Sequence, residues 1–340
     1  LLAARGDCTG ALQAADRGLE RANRALDAIS PERLTLMRAK ASALNACGRP
    51  ADAEVLLREA ISLRERTVSS GGLQAMNLTN DLAVVLNDQG RYQEAVAMLA
   101  LSERSMVEAG LGGSNVVLAL INRSGMLENA GDYAKALADL ASARELLDAN
   151  AVDADDHLRR RLERTEARTL GLSGQPARAF ERLLDLRVRS ARIDGEDSGE
   201  VAMLTWQLAI MAKRAQRTDI GGALLEEAER RWAALVPPEH PVFAHAQRLR
   251  AAFAIEREDY KEADRALSAA LASFESTETN AVDLAITRSE LARLRWHEGR
   301  AQEGRRLLGL ALPVLRDTLL ESEVSRVEAE RVARMLGGVR

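Results

Sequence analysis

Aromatic side chains make up only 3% of the 340 residues, and this scarcity argues against a fold built from β-sheets. Strands are enriched in aromatic and β-branched residues. Ala, Leu, Arg and Glu, which are common in helices, dominate here instead. No Pro-rich or Ser-rich linker divides the chain. We therefore predict one elongated all-α unit over residues 1–340.

Neither sign of charge prevails, since 47 basic residues face 51 acidic ones and the formal net charge is −4. Such a balance gives no general attraction to nucleic acid. Uncharged apolar runs of about 18 residues, which a membrane-spanning helix needs, are missing. We expect no nucleic-acid partner and no membrane insertion by these residues. Because the chain starts at Leu1 inside a predicted helix and has no cleavable leader, we expect it to be a fragment of a longer protein.

Motifs that carry chemistry are also missing. No phosphate-binding loop of the GxxxxGK[ST] or GxGxxG type occurs. The four histidines stand apart from one another, with no HExxH or CxxC spacing beside them. The carboxylates fit solvated helix faces. We predict no catalytic residue, no metal site and no cofactor, and therefore no enzymatic activity in this fragment.

The chain contains a helix-turn-helix motif that recurs every 40 to 44 residues. Most of its turns contain Gly. The predicted turns lie near Gly6, Gly48, Gly90, Gly131, Gly174, Thr218, Glu258 and Gly299. This period predicts about eight helical hairpins.

A small residue follows each turn by about five positions, and an apolar residue follows one helical turn later on the same face. The small residues are Ala11, Ala53, Ala95, Ala136, Ala179, Ala223, Ala263 and Gly304. The apolar residues are Ala15, Leu57, Leu99, Leu140, Leu183, Leu267 and Leu308. The sixth repeat has Glu227 at the apolar position and Gly221-Gly222 in its predicted turn, so we expect an irregular register there. Apolar residues between about 322 and 336 predict a C-terminal capping helix.

Two turn phrases, Gly90-Arg91-Tyr92-Gln93-Glu94-Ala95 and Gly131-Asp132-Tyr133-Ala134-Lys135-Ala136, resemble tetratricopeptide repeats. The preceding Leu78-Thr79-Asn80-Asp81-Leu82-Ala83 resembles the first helix of the longer repeats of kinesin light chains. The resemblance covers essentially the whole chain. It implies a right-handed superhelical solenoid whose first helices line a concave groove and bind a protein or peptide.

In that family the exposed groove positions lie thirteen, ten, six and three residues before the turn Gly. Carried onto this sequence, those offsets give two candidate ligand-binding sets, Asn77, Asn80 and Asn87, and Arg161, Arg164 and Arg168. Carboxamides both donate and accept, as a peptide backbone requires. The arginines share one helix face and suit carboxylates or phosphates. Ordinary solvated helix faces, with Arg paired to Glu163 and Glu166, are the alternative. His245, Arg248 and Trp296 would extend the groove.

The two cysteines, Cys8 and Cys47, fall on the same edge of adjacent repeats. A disulfide is geometrically conceivable if their Cα atoms approach about 6 Å. Two half-buried thiols are the alternative.

The Arg-rich long repeats and the phrase Val236-Pro237-Pro238-Glu239-His240-Pro241 resemble the C-terminal extracytoplasmic region of bacterial transmembrane serine/threonine kinases. That resemblance implies a periplasmic sensor or docking domain that regulates an attached kinase in signal transduction. The alternative is a cytoplasmic scaffold or regulator, such as the repeat region of a transcriptional activator or a chaperone. The oligomeric state has no sequence signal.

Overall fold

The computed structural model describes residues 8–27, 30–65, 73–108, 113–149, 156–276 and 281–337, and these residues form helices and turns with no strand. Helices of 12 to 19 residues follow one another along the chain. They are α1 (Cys8–Ala25), α2 (Pro31–Ala46), α3 (Pro50–Glu65), α4 (Leu73–Asp88), α5 (Tyr92–Glu108), α6 (Ser114–Ala130), α7 (Tyr133–Asp148), α8 (Asp156–Leu172), α9 (Pro176–Asp194), α10 (Gly199–Arg214), α11 (Thr218–Ala233), α12 (Pro241–Glu256), α13 (Tyr260–Ser276), α14 (Ala281–His297), α15 (Ala301–Thr318) and α16 (Val324–Met335).

Consecutive helices pack as antiparallel hairpins, each closed by one residue with a left-handed backbone. These residues are Gly48, Gly90, Gly131, Gly174, Gln216, Glu258 and Gly299, with φ between 57° and 109°. At Gly48 the next amide, that of Arg49, donates to Leu44 O at 2.9 Å, which satisfies a carbonyl left free at the helix end. The same bond recurs from Arg217 to Ala212 O and from Asp259 to Ala254 O. The predicted turn at Gly6 lies outside the described residues.

The sixth hairpin is regular, contrary to our expectation. Its left-handed residue is Gln216 rather than a residue near Thr218. Counting from Gln216 places Gly221 at the small position and Leu225 at the apolar position, and both are buried. Ala223, predicted for the small position, is exposed. Glu227 instead pairs with Arg187 and Arg231 beside the core. The register was misread because Gln216, rather than a glycine, adopts the left-handed turn conformation in this repeat.

Among the described residues, small side chains also occupy the same position on each first helix, seven residues before the turn. All of them are at most 1% exposed, which lets the two helices of a hairpin cross closely. They are Ala41, Ala83, Ser124, Ala167, Ala209, Ala251 and Ala292.

The described chain divides into two compact units. Unit 1 comprises Leu1–Leu127 and Ala141–Leu158, and unit 2 comprises Glu128–Leu140 and Arg159–Arg340. Unit 1 holds an apolar cluster that runs from Leu19 to Met126. Unit 2 holds successive clusters around Leu208, Phe253 and Phe274. No helix among the described residues is long and apolar enough to cross a bilayer.

The capping helix α16 covers the last hairpin. It packs against α14 and α15 through Val332, Ala333 and Leu336, which are at most 6% exposed. Glu323 caps its first turn by accepting hydrogen bonds from the amides of Ser325 (2.6 Å) and Arg326 (3.2 Å).

Candidate functional site

The candidate site of unit 2 lies on α8, whose residues Arg161, Arg164 and Arg168 share one face. Each side chain stays partly accessible. Arg168 forms an ion pair with Glu128 of α6, three residues before the turn of the preceding hairpin. Arg164 forms an ion pair with Glu200 of α10, on the following hairpin. Arg164 and Arg168 therefore pair across hairpins.

Glu128 is a buried carboxylate at the centre of this arrangement. It accepts a hydrogen bond from Thr169 Oγ1 and contacts the guanidinium of Arg168. Burial raises the pKa of Glu128, and the positive charge of Arg168 opposes this shift. The pair thus holds a charged group in a place where water cannot fully solvate it.

Arg161 is the third arginine of the face. Burial lowers its pKa, and the neighbouring charge of Arg164 lowers it further. Two like charges one helical turn apart repel each other. The carboxylate of Glu200, which pairs with Arg164, opposes the shift in the pKa of Arg161.

Three buried polar atoms on α8 and α10 have no hydrogen-bond partner among the described residues. They are Arg168 Nε, Glu200 Oε1 and Gln207 Oε1. The Gln207 side chain is only 4% exposed. Buried polar groups normally find a partner, so each unsatisfied one calls for an explanation. One donor and two acceptors match the C=O and N–H groups of a peptide backbone.

The asparagine set lies in unit 1 and is tied to its neighbours. Asn80 Oδ1 accepts from Asn122 Nδ2 of the next hairpin at 2.9 Å. Asn87 donates to Asp88 at 3.3 Å, and Asp88 also accepts from Asn45 Nδ2 at 2.6 Å. Asn77 is partly buried on the same helix, α4. These carboxamides form a polar row with members that we had not singled out, namely Asn45 and Asn122.

A cross-hairpin ladder on the first helices was missed at the level of sequence. The residue ten before one turn pairs with the residue nine before the next: Arg38 with Asp81 at 2.7 Å, Asn80 with Asn122, and Arg248 with Glu290 at 3.0 Å. The signal was the recurrence of polar pairs at an interval of 42 or 43 residues. The ladder explains why candidate groove residues are already hydrogen-bonded.

The predicted extension of the groove is only partly available to a ligand. Arg248 is held by Glu290 and by Asp283 at 3.4 Å. His245 lies 3.8 Å from Asp283 and packs edge-on against Phe274, and burial lowers its pKa. Trp296 packs edge-on against His297. Among the described residues no cluster of three His, Cys, Asp or Glu side chains could hold a metal ion.

Cys8 and Cys47 are paired as a disulfide in the structure, with their Cα atoms 5.5 Å apart. Cys8 is the first residue of α1 and Cys47 ends α2. The bridge therefore fastens the first described helix to the hairpin that follows it.

Comparison with known proteins agrees with this architecture. Residues 33–71 and 76–102 match the tetratricopeptide repeat family profile. No curated protein sequence matches the chain. The Rap protein in complex with competence and sporulation factor is 13% identical, with 90% of this chain and 83% of that chain covered and a TM-score of 0.64.

Two further solved structures are similar. The apo form of the quorum sensor NprR from B. thuringiensis is 14% identical, with 91% of this chain and 83% of that chain covered and a TM-score of 0.60. A putative kinesin light chain from Podosopora anserina is 17% identical, with 67% of this chain and 88% of that chain covered and a TM-score of 0.34. Residues 33–71 and 76–102 thus resemble tetratricopeptide repeats, and the chain has the fold of an all-α helical-repeat solenoid.

Proposed function

We propose that this chain is a noncatalytic domain that binds an extended peptide or protein segment on the first-helix face of unit 2. That face consists of the residues thirteen, ten, six and three positions before each turn, including Arg161, Arg164 and Arg168. The observation that carries the proposal is that three buried polar atoms, on Arg168 of this face and on Glu200 and Gln207 of the neighbouring α10, have no hydrogen-bond partner among the described residues. Their mixture of one donor and two acceptors suits a peptide backbone better than a small anion.

Two solved structures with a similar fold support this assignment. One solved structure with the same fold is a complex with competence and sporulation factor, and another is a quorum sensor. Repeat arrays expose a long continuous surface, which suits chain-like ligands. A ligand carboxylate would lie near Arg161, where burial and the charge of Arg164 lower the pKa of the guanidinium.

Binding can be tested by panning a library of random twelve-residue peptides on the folded chain. We expect enrichment of peptides with Asp or Glu, and at least about a tenfold loss of their affinity in the triple variant Arg161→Ala, Arg164→Ala, Arg168→Ala. The matched control replaces Arg178, Arg182 and Arg192, which are exposed on α9, and changes the net charge equally. Equal affinity of the two triple variants would refute the assignment.

We further propose that the domain is the periplasmic regulatory region of a bacterial serine/threonine kinase. The Cys8–Cys47 disulfide supports an oxidising compartment, because such bonds are rare in the cytosol. A cytoplasmic scaffold or regulator is the alternative. Alkylation of the native protein, followed by nonreducing mass analysis, separates the two. Both thiols blocked at the mass of a disulfide support the periplasm, whereas two free thiols favour the scaffold.

A further inference from the structure

Within unit 2, the segment that follows α15 contacts the turn at the end of α6. The amide of Leu320, which follows α15, donates a hydrogen bond to the carbonyl oxygen of Ala130 at 3.0 Å. Ala130 is the last residue of α6, and the last carbonyls of a helix have no partner within it. The segment after α15 therefore supplies a donor that the end of α6 lacks. Unit 2 is closed on itself at this point.

The side chain of Glu323 lies directly on Gly131. A Cβ atom on Gly131 would lie 2.7 Å from both Cβ and Cγ of Glu323, which is closer than side chains tolerate. Glu323 is only 8% exposed. Because the same carboxylate caps α16, the position of the capping helix and the contact with Gly131 depend on one side chain.

The carboxylate also influences groups on two other helices. The pKa of Tyr133, on α7, is raised to about 12 by burial and by the charge of Glu323. Burial disfavours the charged form of Arg248, on α12, but the carboxylates of Glu290, Asp283 and Glu323 together raise its pKa. Arg248 belongs to the first-helix face. The charge of Glu323 thus acts on a residue of the surface that we assign to the ligand.

Arg326 fixes the segment that follows α15. Its guanidinium donates to the carbonyl of Leu319 at 2.8 Å and to that of Arg316 at 3.2 Å. These bonds fix the chain where it leaves α15, so that Leu320 and Glu323 are presented to the end of α6.

We propose that residues 319–323 form a clasp that closes unit 2 across its first-helix face, and that a peptide reaches this face when the clasp opens. The first helices α8, α10, α12 and α14 lie in sequence between the end of α6 and residues 319–323, which contact each other. The contact is small beside the apolar cores of the hairpins, so it opens at a lower free energy than a hairpin unfolds. The role of the clasp in peptide access rests on the proposed function, whereas the existence of the clasp does not.

The clasp is tested by hydrogen exchange of the intact chain with Gly131→Ala, which places a methyl group against Glu323. The control is Gly299→Ala, a turn glycine with a similar φ (+75° against +87°) and nothing within 4 Å of the added Cβ. In Gly131→Ala we expect amide exchange to be at least about tenfold faster in peptides from 128–140 and 319–336. In Gly299→Ala the exchange of these peptides should not change. No change, or an equal change in both variants, would overturn the clasp.

A second variant guards against misfolding of the first. Leu320→Pro removes the N–H donor itself, and the extended backbone of Leu319 (ψ 148°) suits a residue that precedes proline. It should accelerate exchange in the same two segments. Normal exchange there would show that the bond to Ala130 does not hold unit 2 closed.

Access to the first-helix face is measured without any ligand through Trp206 on α10, ten residues before the turn at Gln216. In a background of Trp232→Phe and Trp296→Phe, acrylamide should quench Trp206 about twofold more strongly in Gly131→Ala than in Gly299→Ala. Faster exchange with unchanged quenching would overturn the access role and leave the clasp. Both effects without any peptide binding would instead refute the proposed function.

Discussion

Gly221 shows how closely the hairpins of unit 2 are packed. A Cβ at this position would lie 2.4 Å from Cζ and 2.6 Å from Cε1 of Phe253, a fully buried ring. Gly222, the next residue of the same helix, has nothing within 4 Å of its Cβ position. The two glycines therefore differ in packing while sharing a helical backbone.

Gly221→Ala should lower the free energy of unfolding by about 1–3 kcal/mol, since overfilling a packed core forces the ring to move. Gly222→Ala should raise it by about 0.5–1 kcal/mol, because alanine favours helix. Urea unfolding followed by circular dichroism measures both. Restoration of stability by Phe253→Leu in the Gly221→Ala background would identify the ring as the cause, and destabilisation of equal size in both single variants would contradict this account.

Asp88 makes the stability of unit 1 depend on pH. Burial raises its pKa above the ordinary 3.8, although Asn45 and Asn87 donate hydrogen bonds that oppose the shift. A carboxyl whose pKa is raised by folding contributes stability that is present below the unfolded pKa and is lost as the pH rises through the folded value.

Asp88→Asn should therefore gain stability relative to the parent as the pH rises above about 4, while the two proteins differ least below it. Thermal unfolding between pH 3 and pH 7 measures the difference. Asp52→Asn, at an exposed position of α3, is the matched control. A stability difference that stays constant with pH would show that the pKa of Asp88 is unchanged by folding.

At the scale of elements, the ladder between first helices fixes how one hairpin stacks on the next. Two of its ion pairs differ in exposure. Arg38 and Asp81 are about equally accessible, at 30% and 27%, whereas the side chain of Arg248 is only 16% exposed and contacts both Glu290 and Asp283. Removal of Arg248 would leave two carboxylates without their common partner.

We expect Arg248→Met to cost about 2–4 kcal/mol, as for one partner removed from a largely buried pair. Arg38→Met should cost about 0.5 kcal/mol, as for a more exposed pair. Chemical unfolding of both variants in 0.1 M and 1 M salt measures these costs. The cost of Arg38→Met should shrink further with salt, because exposed pairs are screened. Similar costs for the two variants would contradict a stacking role specific to the buried rung.

The hairpin elements could be predicted from sequence because their signals are local. A turn glycine, a small residue five positions later and a leucine four positions after that describe one packing geometry, as at Gly48, Ala53 and Leu57. The sixth hairpin was misread because Gln216 replaces that glycine. The ladder was missed because each rung joins residues of different hairpins, and no single helix reveals that Arg164 pairs with Glu200 or Arg168 with Glu128.

At the scale of the whole molecule, the helical-repeat fold followed from the period, whereas the candidate site did not. Offsets from the turns placed Arg161, Arg164 and Arg168 on one face, but the partners that neutralise two of them come from α6 and α10. The clasp was beyond prediction for a similar reason, since Leu320 and Ala130 are distant in sequence and meet only after five hairpins have stacked.

Stability in a repeat array accumulates between neighbours, so the disulfide should act locally. The bond between Cys8 and Cys47 closes a loop with a sequence separation of 39, for which chain entropy gives about 4 kcal/mol. Reduction should release α1, whose packing against α2 rests on few apolar residues such as Leu19. Hydrogen exchange with and without reductant should show faster exchange over residues 8–46 and unchanged exchange in unit 2. Cys8→Ser with Cys47→Ser should reproduce the reduced pattern, and uniform acceleration across both units would show that the bond stabilises the whole chain.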